Sequence, residues 1–350
     1  MLPWLGQTLT PVYGPFRLLN SYLFLAGLGA ALGALATVII LPKFWNYLPR
    51  DNGRVFAVDG ERAKGKPVSA GTIFIPVLVF ICLLVIPFNW QIIGILACLM
   101  LAMLEGHIDD LHNNGGLSEY LLGAIDLSIS FMAALILSGL QDQVIWLPLI
   151  KTPVTVSFWL YIPLATGILW TMINATNCTD GVDGLSASLS ILAFIYLGGI
   201  LYAIVGHADI SQYLLVPHYI DGADWALVAF AMVGCLAGYL WHNSLPSSVL
   251  MGDAGSRPMG LLLGILVMTS GNPFLIFVVT GVVLLNGATG LVKVALLRFF
   301  KISIFKSIRY PLHDHVRHSL SWSNTQVLVR FVLLQAVGTP LLLVFLFKVR

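Results

Sequence analysis

The sequence predicts an all-α membrane protein that forms one domain over residues 1–350 and crosses the bilayer about ten times. Hydrophobic residues make up 58% of the chain and charged residues only 10%, whereas about a quarter of the residues in a soluble domain are charged. Apolar runs of about 20 residues, the length that crosses a bilayer as a helix, recur along the chain. No repeat or low-complexity linker divides it. Together these features predict a polytopic integral membrane protein.

Ten apolar segments are expected to form the membrane-spanning helices. The eighth is short, while the ninth is long and contains Asn286, Gly287 and Gly290, so we expect a break or a strong bend within it. The segments are 23–41, 72–88, 92–108, 120–140, 158–173, 185–205, 225–241, 256–270, 273–300 and 327–347.

Lysine and arginine are unevenly distributed between the loops that alternate across the membrane. Thirteen of the 18 fall on one side, which predicts that this side is cytoplasmic and that both termini are extracytoplasmic. A net charge of +2 gives no indication of a nucleic-acid partner. The thirteen are Lys43, Arg50, Arg54, Arg62, Lys64, Lys66, Arg257, Arg298, Lys301, Lys306, Arg309, Arg317 and Arg330, and the opposite side carries Arg17, Lys151, Lys348 and Arg350.

Four polar clusters fall on the predicted cytoplasmic face, whereas the opposite loops hold little that is clustered. The first contains Asn174, Asn177, Asp180 and Asp183, which recur every three residues between two apolar runs and would share one face of a helix. Unpaired polar groups beside hydrocarbon are costly, which favours a binding role. The alternative is a turn in which Asn and Asp cap helices, and this cluster alone does not decide between them.

Two further clusters place carboxylates at helix ends. Asp109 and Asp110 close the third segment, where their repulsion and the negative helix end would be relieved by a proton or by a divalent cation such as Mg²⁺ or Mn²⁺. Asp253 follows Gly252 at the start of the eighth segment, and a helix start that includes Ser256 suits phosphate. If Asp253 binds a metal, this helix start becomes a site for a pyrophosphate. The alternative for Asp109 and Asp110 is a solvated acidic pair, and the alternative for Asp253 is simple N-capping.

The remaining candidates carry amide, imidazole and ammonium groups. Asn243 lies near the end of the seventh segment, and we expect it to be a further polar contact for the site at Asp253. His313 and His315 belong to a basic stretch, where contact with a phosphate or a peptide carboxylate fits better than a zinc pair. Lys64 lies in a basic, glycine-containing turn at 61–67 that suits anionic lipid or nucleotide and serves equally well as a positive-inside anchor.

Carboxylates, a helix N-terminus, basic loops and an expected metal on one face predict phosphoryl transfer, because that chemistry depends on positioning and charge neutralisation. An acceptor with a phosphate at the bilayer surface and a lipid tail would explain a site built at helix ends. An ion-coupled transporter is the alternative from another class of protein. Transport sites lie near the membrane midplane, however, and the break in the ninth segment is the one feature that favours transport.

Several motifs, in the expected order, resemble the polyprenyl-phosphate N-acetylhexosamine-1-phosphate transferases. Within that superfamily, three of them are similar to the phospho-N-acetylmuramoyl-pentapeptide-transferases, and the resemblance extends over almost the whole chain. The superfamily motifs are Ile-Asp-Asp at 108–110, the run 174–185 and the run 249–256; the narrower ones are 64–71, Pro-Leu-His-Asp-His at 311–315 and 321–331.

The resemblance implies an activity and its partners. The chain would transfer phospho-MurNAc-pentapeptide from UDP-MurNAc-pentapeptide to undecaprenyl phosphate in the bacterial plasma membrane, giving lipid I and UMP with Mg²⁺ as cofactor. It also implies a homodimer. The nearest alternative is a sister enzyme that uses UDP-GlcNAc as the donor.

The resemblance also implies roles for individual residues. Asp109 and Asp110 would be the catalytic pair and Asp253 the Mg²⁺ ligand, with Gly252 and Ser256 beside the phosphate. The nucleotide pocket would be formed by Asn174, Asn177, Asp180 and Asp183, with the last two nearest the uracil. Asn243 would be a neighbour of the metal, and a catalytic His313 with His315 would form the histidine motif. The substrate-contacting lysine would be Lys64, with Lys66 as the alternative.

The chain departs from the family pattern at three places. Asp314 stands where the family has the middle one of three histidines, Leu250 stands where a Phe is usual, and the loop after Asp110, at 112–116, lacks the usual lysines. Two mechanisms stay open. In the first, Asp109 orients or deprotonates the acceptor phosphate for direct attack; in the second, an aspartate is itself the nucleophile.

Overall fold

The computed structural model describes residues 1–53, 63–112 and 117–348. Arg54, Arg62 and Arg350 from the charge count lie outside the described residues, as does the 113–116 part of the loop that follows Asp110.

Over the described residues, the regular secondary structure is helical apart from one two-stranded hairpin. Each of the ten apolar segments coincides with a helix or with a group of short helices, and eight of the helices in the described ranges are long and apolar enough to cross a membrane. The prediction of an all-α polytopic membrane protein is therefore confirmed, while the number of spans and the side of the termini stay predictions. The helices are α1 (Leu2–Leu9), α2 (Tyr22–Phe44), α3 (Gly71–Val85), α4 (Trp90–Leu111), α5 (Glu119–Ser138), α6 (Phe158–Thr179), α7 (Leu185–Gly199), α8 (Ala208–Tyr213), α9 (Gly222–Asn243), α10 (Asp253–Thr269), α11 (Leu275–Val279), α12 (Gly281–Val283), α13 (Thr289–Phe300), α14 (Leu312–Leu320) and α15 (Asn324–Lys348).

Local sequence explains where several helices begin. The Asn89 side chain caps α4 by accepting the backbone N–H of Gln91 at 2.9 Å, and Ser118 caps α5 by accepting that of Leu121 at 3.3 Å. Asn and Ser are favoured at this position because their side chains satisfy N–H groups that have no partner within the helix. The polar residues that separate the apolar runs therefore also start the next helix.

The ninth apolar segment is broken, as predicted. It consists of α11, α12 and α13, with a π-helical turn at Leu284–Ala288 between the last two. Asn286 lies in that turn and is buried, and π-helical turns often mark functional positions. A short antiparallel hairpin, β1 (Gln143–Ile145) and β2 (Val154–Val156), lies between α5 and α6 and was not expected from the sequence.

The centre of the molecule is α10, which packs against α4 and α6. Fifteen of its 17 residues are buried. Glycines allow this close approach: a Cβ on Gly106 of α4 would collide with the backbone of Asp253, and a Cβ on Gly260 would collide with that of Met172 in α6. Small residues let helix backbones pack closely inside a membrane, and here they bring the ends of three helices together.

Candidate functional site

The N-terminus of α10 is capped by a carboxylate from a neighbouring helix. Asp110, in the last turn of α4, accepts the backbone N–H of Asp253 at Oδ1 (3.0 Å) and that of Ala254 at Oδ2 (3.2 Å). Gly252 precedes α10 with a φ of 68°, and a Cβ there would collide with Asp110. Because the positive end of the α10 dipole lies against Asp110, the repulsion expected at the end of α4 is relieved.

Asp109 faces a different partner. Its Oδ1 accepts the backbone N–H of Leu117 at 2.8 Å, just before α5, and the residue is partly exposed. The two adjacent acids are therefore not a chelating pair in this structure. Asp110 caps the N-terminus of α10, while Asp109 accepts a backbone hydrogen bond from the residue just before the N-cap of α5.

The carboxylate of Asp253 is bound by Arg257, one turn further along α10. Nε and Nη2 of Arg257 lie 2.9 Å and 2.8 Å from Oδ2 of Asp253. The third guanidinium nitrogen, Nη1, donates to Oδ2 of Asp126 at 2.6 Å and lies 3.6 Å from Oε1 of Glu105. Glu105, Asp126 and Arg257 are all buried. One guanidinium thus holds three carboxylates, which come from α4, α5 and α10.

Sequence reasoning missed this ion cluster of Glu105, Asp126, Asp253 and Arg257. Glu105 and Asp126 are acids inside apolar segments, which are functional candidates by default, so a signal for them was present. The charge count places Arg257 with the loop cations, yet its side chain is buried in the first turns of α10. Asp126 lies 131 residues from Arg257 in the chain, and that pairing is visible only in three dimensions.

Two of the four regularly spaced polar residues lie on α6, which extends to Thr179 rather than ending at residue 173. Asn174 donates through Nδ2 to Asp126 Oδ2 at 3.3 Å and to its own helix at Trp170 O, 2.9 Å. Asn177 donates through Nδ2 to Ser256 Oγ at 3.1 Å. These two amides therefore join α6 to the ion cluster and to the start of α10.

The other two, Asp180 and Asp183, lie in the turn between α6 and α7. Asp180 is the first residue beyond α6. Asp183 accepts the backbone N–H of Ser247 at 3.2 Å, and its Oδ2 lies 3.6 Å from Nζ of Lys66, which also donates to Ser247 Oγ at 2.8 Å. Lys66, the alternative to Lys64, is thus the lysine that contacts this turn, whereas Lys64 is exposed.

Asn243 links the same turn to the loop before α10. Its Oδ1 accepts the backbone N–H of Gly184 at 2.7 Å, and its Nδ2 donates to the carbonyl of Val249 at 2.8 Å. The side chain is buried. Asn243 therefore connects two loops, and the structure does not bring it to Asp253.

The two histidines occupy different environments. His313 is buried on Gly181, where a Cβ would collide with Nε2 of the ring, and its backbone N–H donates to Oδ1 of Asn286 at 2.8 Å. His315 is partly exposed, and its Nδ1 accepts the backbone N–H of Arg309 at 3.4 Å. The π-helical turn thus positions His313 on the turn between α6 and α7, and His315 lies apart from it.

The donor set at the start of α10 fits a magnesium ion that is bound jointly with a substrate. Within the described ranges, no group of three or more His, Cys, Asp or Glu side chains is arranged to hold a metal. Mg²⁺ needs no such cage, because proteins usually bind it through one or two carboxylates together with water and substrate phosphates. Arg257 contacts only Oδ2 of Asp253. A hard carboxylate oxygen at a helix N-terminus suits both a metal and a phosphate.

These features define a class: a polytopic membrane protein that gathers acids, amides and a lysine at the ends of its helices, where phosphate chemistry is favoured. Comparison with known proteins narrows the class. The model of the family described as Glycosyl transferase family 4 matches residues 92–271. The chain belongs to this family and to the phospho-N-acetylmuramoyl-pentapeptide-transferases, with which it aligns over nearly its whole length.

Similar proteins from several bacteria carry this name. The phospho-N-acetylmuramoyl-pentapeptide-transferase of Treponema pallidum subsp. pallidum is 47% identical over 341 residues, which cover 97% of this chain and 94% of that protein. The transferase of the same name from Wolinella succinogenes is 30% identical over 346 residues, covering 93% and 95% of the two chains.

Proposed function

We propose that the chain transfers phospho-MurNAc-pentapeptide from UDP-MurNAc-pentapeptide to undecaprenyl phosphate at the cytoplasmic face of a bacterial plasma membrane, releasing lipid I and UMP. The observation that carries this proposal is the cap of α10, where Asp110, Asp253 and Arg257 meet, in a chain that is 47% identical to a protein named for this transfer. A single membrane-embedded domain and a homodimer are part of the same proposal.

The chain's own residues support a direct transfer. A phosphate oxygen of the lipid acceptor attacks the β-phosphorus of the nucleotide sugar, a new P–O bond forms, and the bond to the bridging oxygen of UMP breaks. Asp109, the partly exposed acid of the pair, orients the acceptor and takes its proton if one is present. Asp110 caps the first two backbone N–H groups of α10 and so fixes Asp253 at the start of that helix.

The nucleotide side of the site is formed by the turn between α6 and α7. Lys66 supplies a positive charge beside Asp183, and His313 lies on Gly181 of the same turn. Asp253 would hold Mg²⁺ together with substrate phosphates, and the bound ion would supply positive charge against the negative charge that develops on the leaving UMP. Arg257 keeps the Asp253 carboxylate in place before substrate binds.

Release of UMP by the purified protein tests the proposal. With undecaprenyl phosphate, UDP-MurNAc-pentapeptide and Mg²⁺ present, we expect UMP release, and we expect Asp253→Asn to lower its rate by about a hundredfold or more, because a charged partner of the transition state is removed. Asp209→Asn is the matched control, since Asp209 is an exposed acid in α8 and the rate should not change.

Each result has one meaning. Release with the peptide-bearing donor only, dependent on Mg²⁺ and on Asp253, supports the proposal. Release with UDP-GlcNAc alone would reassign the donor, and equal rates for Asp253→Asn and Asp209→Asn would remove Asp253 from the site. Absence of release with either donor would refute the transferase.

A further inference from the structure

The ion cluster contains more negative charge than one arginine can balance. Nη1 of Arg257 lies 2.6 Å from Oδ2 of Asp126 and 3.6 Å from Oε1 of Glu105. Nη2 of the same guanidinium lies 2.8 Å from Oδ2 of Asp253. Three carboxylates thus face a single cation, and buried charge without compensation is costly. The composition of the cluster therefore favours the arrival of a further cation.

Asp126 fixes the orientation of the Arg257 guanidinium. Its Oδ2 accepts a hydrogen bond from Nη1 of Arg257 at 2.6 Å and another from Nδ2 of Asn174 at 3.3 Å, and the residue is fully buried. The other two guanidinium nitrogens, Nε and Nη2, contact Oδ2 of Asp253. Because a guanidinium is planar and rigid, the attachment of Nη1 to α5 sets the direction from which Arg257 holds Asp253.

Arg257 has two opposing effects on Asp253 as a metal ligand. It holds Oδ2 of the carboxylate and does not contact Oδ1, so Oδ1 stays available to an ion. Its positive charge, however, repels a second cation at the same carboxylate. The charges of Asp126 and Glu105 offset this repulsion. Among the residues that the structure describes, no donor forms a hydrogen bond with Oδ1 of Asp126 or with either oxygen of Glu105.

The alternative is that the cluster only ties α4, α5 and α10 together. One carboxylate would be enough to pair with Arg257 for that purpose, and apolar residues of similar volume are often as stable as a buried ion pair. A tie between helices also has no need to include the first residue of α10. The contact of Arg257 with Asp253 and the excess of acids both favour a role at the candidate metal ligand.

We propose that Asp126 and Glu105 are positioning residues that raise the affinity of Asp253 for Mg²⁺. Asp126 orients Arg257 so that Oδ1 of Asp253 faces no guanidinium nitrogen, and both acids offset the charge of Arg257. Each acts through Arg257 rather than by touching the substrate. The inference rests on the proposed function, because it concerns the metal ligand of that reaction.

Binding of Mn²⁺, which occupies the same kind of oxygen site as Mg²⁺, tests the proposal without turnover. Electron paramagnetic resonance measures free Mn²⁺ in a titration of the protein with UDP-MurNAc-pentapeptide present and the lipid acceptor absent. The Asp253→Asn protein gives the background binding. We expect Asp126→Asn to raise the Kd for Mn²⁺ about tenfold, because a nearby negative charge is lost and the charge of Arg257 is no longer shared.

Glu119→Gln is the matched control. Glu119 also lies on α5, but its side chain is 83% exposed and its carboxylate is 3.5 Å from Arg298, outside the ion cluster. An exposed pair of this kind is screened by solvent, so the Kd for Mn²⁺ should equal that of the wild type. A rise as large as that in Asp126→Asn would show that any lost carboxylate weakens the metal, and the proposal would fail.

The rate of UMP release separates a positioning role from a structural one. Asp126→Asn should need about ten times more Mg²⁺ for half of its maximal rate, while kcat at saturating Mg²⁺ should change by less than about threefold. A structural defect alone would lower the amount of active protein. A lower kcat at an unchanged Mg²⁺ requirement would therefore contradict the proposal.

Glu105→Gln covers the case in which Asp126→Asn does not fold. This variant keeps the contact between Arg257 and Asp126, and we expect a rise of about threefold in the Kd for Mn²⁺, since Glu105 is the more distant acid. A Kd equal to that of the wild type would then overturn the inference, although the transferase would stand. Absence of any Asp253-dependent Mn²⁺ binding in the wild type would instead refute the metal ligand of the proposed function, and the two failures are thereby distinguished.

Discussion

The helices α10 and α15 show opposite ways of packing a helix within one membrane protein. The shorter helix, α10, has 17 residues, of which 15 are buried, and it begins at the candidate active site. The longer, α15, has 25 residues, of which five are buried, and it lies at the edge of the bundle. Length and apolarity suffice for α15 to cross a bilayer. The burial of α10 depends on what its neighbours provide.

The difference shows which contacts make helix packing specific in this fold. Apolar side chains gain little from moving out of lipid and into protein, so helices associate through close packing and polar contacts. The buried α10 uses both, with Gly260 against α6 and Arg257 between three carboxylates. The peripheral α15 has one buried polar pair, Gln335 and Thr339. The candidate active site therefore lies next to the helix whose buried charges are paired.

The largest expected difference in stability between variants of the two helices comes from substituting their arginines. Arg257→Leu would leave Glu105, Asp126 and Asp253 without their shared cation, and the loss of one partner from a buried ion pair costs about 3–5 kcal/mol. We expect a large fall in the thermal unfolding temperature of the detergent-solubilised protein, together with loss of UMP release.

Arg330→Leu on α15 is the matched control. Arg330 is exposed and stacks 4.2 Å above the Trp322 ring, a contact that contributes about 0.5–1 kcal/mol at such sites. Its unfolding temperature should fall only slightly and UMP release should persist. If the two leucine variants were equally stable, the ion cluster would have no special role in holding α10.

Much of the fold was predictable from the sequence, because the length and apolarity of a segment determine whether it can cross a bilayer. The break in the ninth segment was likewise visible in Asn286 and its neighbouring glycines. The hairpin at Gln143–Val156 was not predictable, since it is short and depends on pairing between strands. The extension of α6 to Thr179 was not predicted, and Asn177 within it has a side-chain partner on α10 that only the structure reveals.

The site was predictable residue by residue but not in its contacts. The motifs identify Asp110 and Asp253, yet their spacing does not reveal that Asp110 caps the helix that Asp253 begins. The choice between Lys64 and Lys66 depends on the turn at Gly65, which has a φ of 82° and directs Lys66 toward Asp183. Arg257 needs partners on two other helices, and a single sequence carries no signal for such pairs.

A smaller difference in stability should come from substituting one glycine in each of the two helices. Gly260→Ala would place a Cβ against the backbone of Met172 on α6, and overpacking of this kind costs about 1–3 kcal/mol. Gly338→Ala on α15 meets no atom within 4 Å and should keep or slightly raise the stability, because alanine favours helix. Thermal unfolding of both variants measures the difference, and a Gly260→Ala protein as stable as Gly338→Ala would contradict close packing of α6 and α10.

The smallest effect is expected where α15 itself makes a buried polar contact. Gln335 accepts the backbone N–H of Val282 at 2.9 Å and donates to the carbonyl of Val279 at 3.0 Å, so it ties α15 to the broken ninth segment. Gln335→Leu should lower the free energy of unfolding by about 1 kcal/mol, the typical value for one polar contact between membrane helices. Leu334→Met, at a neighbouring position that is 62% exposed, should leave it unchanged. A loss for Gln335→Leu as large as that for Arg257→Leu would mean that α15 is held as specifically as α10, and the contrast between the two helices would fail.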